Sequence, residues 1–161
     1  MSPLLKKLNV KTATEVVILN APAPVLATLQ ADFEPYLTVK TKAGASLSVV
    51  LIFCTALTEV AHYSAAIVPK LTKDALLWFC YPKGSSKKYK CDFNRDNGWQ
   101  ALGELGFEPV RMVAIDEDWS ALRFKPAETI KTMTRSFAIT ATGKAKVAAR
   151  KSAKAGSGND Q

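Results

Sequence analysis

A chain of 161 residues with 48% hydrophobic content and a mean hydropathy of +0.01 has the size and composition of one globular domain. It holds no run of about 18 apolar residues, and its first eight residues turn polar before a signal-peptide core forms, so a cytoplasmic location is expected. The net charge of +8 is uneven: residues 1–125 carry 15 basic and 12 acidic side chains, a net of +3, whereas residues 126–161 carry 7 and 2, a net of +5. Charge concentrated in a tail bears on association with polyanions and not on fold.

In chain order, the apolar run Glu15 to Leu19 stops at Asn20-Ala-Pro-Ala-Pro24 and reads as a strand buried on both faces. Residues 25–30 suit a short helix, and Tyr36 to Lys42 alternates like a second, short strand. Leu47 to Cys54 is the clearest buried strand. Leu57, Val60, Ala61, Ser64, Ile67, Val68 and Leu71 then recur at helical spacing, with Thr55 as the expected cap and Thr72 to Asp74 as the stop. Ala75 to Tyr81 predicts another strand, and Pro82 to Cys91 a basic loop.

A second helix is expected from about Asp96, turning Trp99, Leu102 and Leu105 inward, with Gly106 as its left-handed stop. Pro109 to Ile115 and Ser120 to Phe124, joined by Asp116 to Trp119, predict an antiparallel hairpin. The whole reads as a single Rossmann-like three-layer α/β domain over residues 1–125. Its sheet is mostly parallel and ends in an antiparallel C-terminal edge hairpin. This succession resembles the second half of a methyltransferase-type Rossmann fold, in reduced form. Residues 126–161 read as a basic tail, with a short helix at about 127–137.

The chemistry-bearing residues exclude several classes. His62 is the only histidine and falls on the solvent side of its helix, and the three cysteines show no C-x-x-C spacing. Zinc sites and Ser-His-Asp triads therefore lack their parts, and neither a metal nor a cofactor is expected. The turn after the first strand, Asn20 to Pro24, has prolines where a dinucleotide or methyltransferase cradle places glycines. Lys83 to Lys88 has phosphate-loop flavour without the G-x-x-x-x-G-K-[ST] spacing.

In an open parallel sheet, ligands bind beyond the carboxyl ends of the strands. The loops 20–24, 54–58, 82–95 and 116–119 would gather Asn20, Thr55, Lys83, Ser85, Lys87, Arg95, Asp116, Asp118 and Trp119 there. Two readings of this rim stand: a grip for a small anionic ligand, nucleotide or protein partner, or an ion-paired rim with Trp119 packed over it. The tail likewise reads either as a solvated appendage or as a nonspecific nucleic-acid arm acting through Lys144, Lys146, Arg150, Lys151 and Lys154.

Lys7 to Lys11, Val17 to Pro22, Leu77-Trp78 with Tyr81 to Lys83, and above all Ala114 to Phe124 together resemble an uncharacterised bacterial family of small Rossmann-like proteins, a domain of unknown function. The resemblance covers about residues 3–125. Two positions depart from its pattern, Asn9 in place of glycine and the region of Ala13 in place of Pro-Gly. It implies the Rossmann-like fold and an appended tail, supplies no activity, and marks Asn20, Lys83, Asp116, Trp119 and Arg123 as kept motif positions, which brings Arg123 into the candidate ligand-binding set. From the residues and the resemblance together, the expected function is a non-catalytic domain with a rim site. Nucleic-acid association through the tail is the alternative, and a methyltransferase-like enzyme the third.

Overall fold

The computed structural model describes residues 2–93 and 97–130. One six-stranded sheet runs through it in the order β2-β1-β3-β4-β6-β5, formed by Glu15–Leu19 (β1), Thr38–Lys40 (β2), Leu47–Phe53 (β3), Leu71–Pro82 (β4), Phe107–Ala114 (β5) and Trp119–Pro126 (β6). β1 to β4 pair in parallel, while β6 is antiparallel to both neighbours. The helices are Pro3–Lys7 (α1), Ala23–Phe33 (α2), Leu57–Ile67 (α3) and Gln100–Glu104 (α4).

The apolar runs of β1, β3 and β4 explain the layering. Side chains alternate across a strand, so a run with no polar gaps feeds a core on each face. Val16, Ile18, Leu51, Phe53, Trp78 and Cys80 face the layer that holds Leu5, Val25, Leu29 and Phe33. Val17, Val50, Ile52, Leu77 and Phe79 face Val60, Ile67, Trp99 and Leu102 on the other side. The expected Rossmann-like three-layer domain is the observed one.

The antiparallel C-terminal hairpin stands at the sheet edge, as expected, with β6 between β4 and β5 and β5 outermost. Exposure accounts for the order, since Val110, Arg111 and Met112 of β5 face solvent while Ala121, Leu122 and Phe124 of β6 are buried. The chain winds outward from β1 to β2 before returning to β3 and β4 on the other side.

The long helix stops at Ile67, and a short 3-10 turn, Val68–Lys70, leads directly into β4. Thr72 to Asp74 is thus strand and not a helix stop, with Asp74 at φ 62. Leu57, Ala61 and Leu105 point outward, leaving Val60, Ser64 and Ile67 as the buried stripe of α3. His62 is exposed, as expected.

Gly106 takes the predicted left-handed conformation at φ 86, where glycine bears no Cβ penalty. Its carbonyl accepts from the Ala127 backbone at 2.8 Å, so packing continues past the hairpin into buried Ala127. The short helix expected over about 127–137 falls mostly outside the described residues. Its first residues form a 3-10 turn, Ala127–Thr129. Among the described residues no helix is long and apolar enough to cross a membrane.

Candidate functional site

The carboxyl ends of β1, β3 and β4 and the β5–β6 turn come to one rim, as the parallel topology requires. β1 and β3 are neighbours whose chains then depart in opposite directions, and this switch point is where open α/β sheets form a crevice. Here the crevice encloses about 320 Å³ and is lined by Asn20, Pro22, Phe53, Thr55, Glu59 and Trp119, among others.

A hydrogen-bond network spans its floor. The Asn20 side-chain amide donates to the Phe53 carbonyl and to Glu59 Oε2, each at 2.8 Å. Glu59 Oε1 accepts from the Thr55 backbone at 2.8 Å and from its hydroxyl at 3.2 Å. Partial burial alone would raise the Glu59 carboxyl, but hydrogen bonds from Thr55 and Asn20 hold it below its ordinary value. Thr55 therefore does not cap α3 as expected. The capping acceptor comes from the basic loop, where Asp92 Oδ1 accepts from the Leu57 backbone at 2.8 Å.

That loop is tied down at both ends. Lys83 donates its backbone N–H to the Asp118 carbonyl at 2.8 Å, and Ser86 donates its hydroxyl to Asp118 Oδ1 at 2.9 Å. The Tyr89 N–H donates to Ser86 Oγ at 3.2 Å, and Asp92 donates its N–H to the Thr55 carbonyl at 3.3 Å. Between the loop and the β5–β6 hairpin opens a cleft of about 870 Å³, a size suited to a small organic ligand. Among the described residues its lining includes Tyr81, Lys83, Ser86, Tyr89, Lys90 and Phe93, and no carboxylate. Burial pushes the Cys91 thiol at its wall above its ordinary value.

The predicted site residues divide accordingly. Lys83 lines the cleft, and Asn20 and Trp119 line the crevice. Ser85 is exposed and does not line the cleft; its neighbour Ser86 takes that place because its hydroxyl is drawn to Asp118. Asp116 is turned inward to its own backbone: Oδ1 accepts from the N–H groups of Asp118 and Trp119, each at 2.8 Å, which closes the hairpin turn.

Asp118 anchors the loop. Among the described residues neither carboxylate is ion-paired with a rim lysine. Trp119 is 1% exposed, edge-on to Phe53 at 5.0 Å, with its indole N–H buried and unpartnered. Arg123 is not at the rim at all. It lies mid-strand opposite Trp78, because β6 runs away from the rim. Arg95 and the tail residues Lys144, Lys146, Arg150, Lys151 and Lys154 lie outside the described residues.

Lys90, Ser86, Tyr89 and Glu59 had no place in the predicted site. For Lys90 the only available signal was net positive charge in a loop following a strand end. Among the described residues no group of three or more His, Cys, Asp or Glu side chains could hold a metal.

No family model and no curated protein matches the chain. Among solved structures it is similar to the ribosomal protein L11 methylase of Lactobacillus delbrueckii subsp. bulgaricus, at 10% identity over 76% of each chain with a TM-score of 0.48. It is similar to a protein of the NADB-Rossmann superfamily from Streptococcus agalactiae at 14% identity, over 78% of this chain and 68% of that one, with a TM-score of 0.44. A third similarity is to the M1A22 tRNA methyltransferase of B. subtilis, at 12% identity over 78% and 66% of the two chains, with a TM-score of 0.41.

Proposed function

We propose that this chain is a ligand-binding α/β domain whose cleft between the Lys83–Phe93 loop and the β5–β6 hairpin takes a small anionic ligand of the nucleotide class. The observation that carries the proposal is the lining of that cleft among the described residues: two lysines, three aromatic rings and no carboxylate, beyond the carboxyl end of β4. Ammonium groups attract phosphate, and the rings offer area on which a base can stack. The non-catalytic character expected from the sequence is not part of the proposal, because the same rim is where an α/β enzyme would hold its substrate. Membership of the small Rossmann-like family suggested by Ala114 to Phe124 belongs to the proposal as well. Asp116 and Trp119, both positions of that motif, have structural work in the turn.

The switch point between β1 and β3 favours a second reading, a methyltransferase-like enzyme with a remodelled cofactor pocket. Against it stand Pro22 and Pro24, which remove amide donors where such a cradle needs them. A thermal-shift screen of mononucleotides, sugar phosphates and S-adenosylmethionine separates the two. The proposal expects nucleotides to raise Tm, with the rise largely lost in Lys83→Ala/Lys90→Ala. A response to S-adenosylmethionine alone, indifferent to those lysines, supports the second reading. No response to any anion removes the cleft as a site.

A further inference from the structure

Arg123, displaced from the rim, belongs to a different constellation. Trp78 of β4, Arg123 of β6 and Arg111 of β5 stand directly opposite one another across three adjacent strands, so all three project from one face of the sheet. Trp78 is fully buried, and its indole N–H has no partner. Arg123 is partly buried, and its Nε is enclosed without a partner. Arg111 is exposed beside it, where the register of β5 slips between Pro109 and Arg111.

Every one of these observations runs against ordinary stability. Like charges directly opposite in a sheet repel, and an enclosed guanidinium edge or indole N–H without a partner bears its desolvation penalty unrelieved. Burial and the neighbouring Arg111 together lower the Arg123 guanidinium from its ordinary value. The next pair along this face is Glu108 opposite Lys125.

We infer that the Trp78–Arg123–Arg111 row is a binding site for a phosphate-like oxyanion, held by the guanidinium pair with the indole N–H behind it. Two planar donor forks on one face suit a tetrahedral oxyanion better than a lone carboxylate would. The site lies about four residues down the sheet from Trp119 and is separate from the Lys83–Lys90 cleft.

The test is a titration of the full chain with inorganic phosphate, with sodium chloride of matched ionic strength as control. A sugar phosphate serves as a second arm to distinguish free phosphate from a phosphoryl group on a larger molecule. Saturable Tm rises of several degrees are expected with phosphate and not with chloride. The Lys83→Ala/Lys90→Ala variant should keep the response, and Arg111→Gln/Arg123→Gln should lose it. Without phosphate the arginine variant should be as stable as the parent or more so, since the repulsion is gone.

Arg111→Gln alone, at an exposed position, serves if the double variant folds poorly. The indole N–H resonance of Trp78, one of three tryptophans and assignable through Trp78→Phe, should shift on titration. A phosphate response that persists in the arginine variants, a chloride response of equal size, or an unmoved Trp78 resonance overturns the inference. A response to the sugar phosphate alone assigns the site to a phosphorylated metabolite.

Discussion

Asn20 sits at the end of β1 with φ 62, a left-handed conformation that asparagine tolerates better than most residues. From there its amide reaches both the last carbonyl of β3 and the Glu59 carboxylate of α3. One side chain thus ties together three elements at the switch point. The sequence marks Asn20 as a terminator before two prolines, which is how it entered the predicted rim. The identity of its partner was hidden, because Glu59 lies 39 positions away and its own pattern says only helix first turn.

The Glu59 carboxylate has a measurable consequence. Its value is held down in the folded chain, so its contribution is present above the ordinary carboxylate range and is lost as pH falls through the lowered folded value. Glu59→Gln should therefore be less stable than wild type at pH 7, by on the order of 1 kcal/mol given solvent screening of a partly exposed group. The gap should close as the pH falls from the ordinary carboxylate value of 4.5 through the lowered folded value. Urea unfolding at pH 7, 5 and 3 reads this directly, and a gap constant across that range would contradict the assigned network.

At the scale of elements, the strands were legible where burial on both faces leaves an unbroken apolar run, as in Val16 to Leu19 and Val49 to Phe53. The hairpin was legible because four residues between two apolar strands permit no crossover. Less was visible at the joint between α3 and β4. Leu71 continues the helical spacing of Ile67 and Val68, and the 3-10 turn that diverts the chain at Pro69 breaks that phase without a composition change. The internal position of β6 was likewise hidden, since strand order depends on which strand of the hairpin buries both faces.

Asp116 illustrates how an element-scale role can look like a ligand. An acid at the rim invites a functional reading, yet its oxygen closes the turn that sets the β5–β6 register. Asp116→Ala should cost roughly 1–2 kcal/mol in chemical denaturation, while Asp116→Asn, which keeps an acceptor, should cost less. Binding of any rim ligand should be nearly untouched by the Asn variant. Equal losses in Ala and Asn, or lost binding in Asn, would restore Asp116 as a charged contact.

For the whole molecule, the remaining issue is the distribution of charge, +2 over residues 1–130 and +6 over residues 131–161. Cutting at Lys125 would remove Pro126 from β6 and the buried Ala127, whose N–H bonds to Gly106, and would confuse folding with binding. Ending the chain after Ile130 keeps these contacts and removes seven basic residues and one acidic residue, taking the net charge from +8 to +2. Phosphate neutralisation releases counterions, and the logarithm of affinity falls with the logarithm of salt at a slope of about −0.9 per contact.

If the C-terminal stretch is a nucleic-acid arm, the full chain binds duplex DNA with a steep salt slope, and the shortened chain loses both the affinity and most of the slope. Fluorescence anisotropy at several salt concentrations measures both quantities on one sample. The stretch holds one aromatic residue, Phe137, and none beyond it, so its binding should show little preference for single strands, where stacking would contribute. A shortened chain that binds duplex as tightly as the full one would move the polyanion contact into residues 1–130. The Arg111–Arg123 row and the Lys83–Lys90 cleft would then be the surfaces to substitute first.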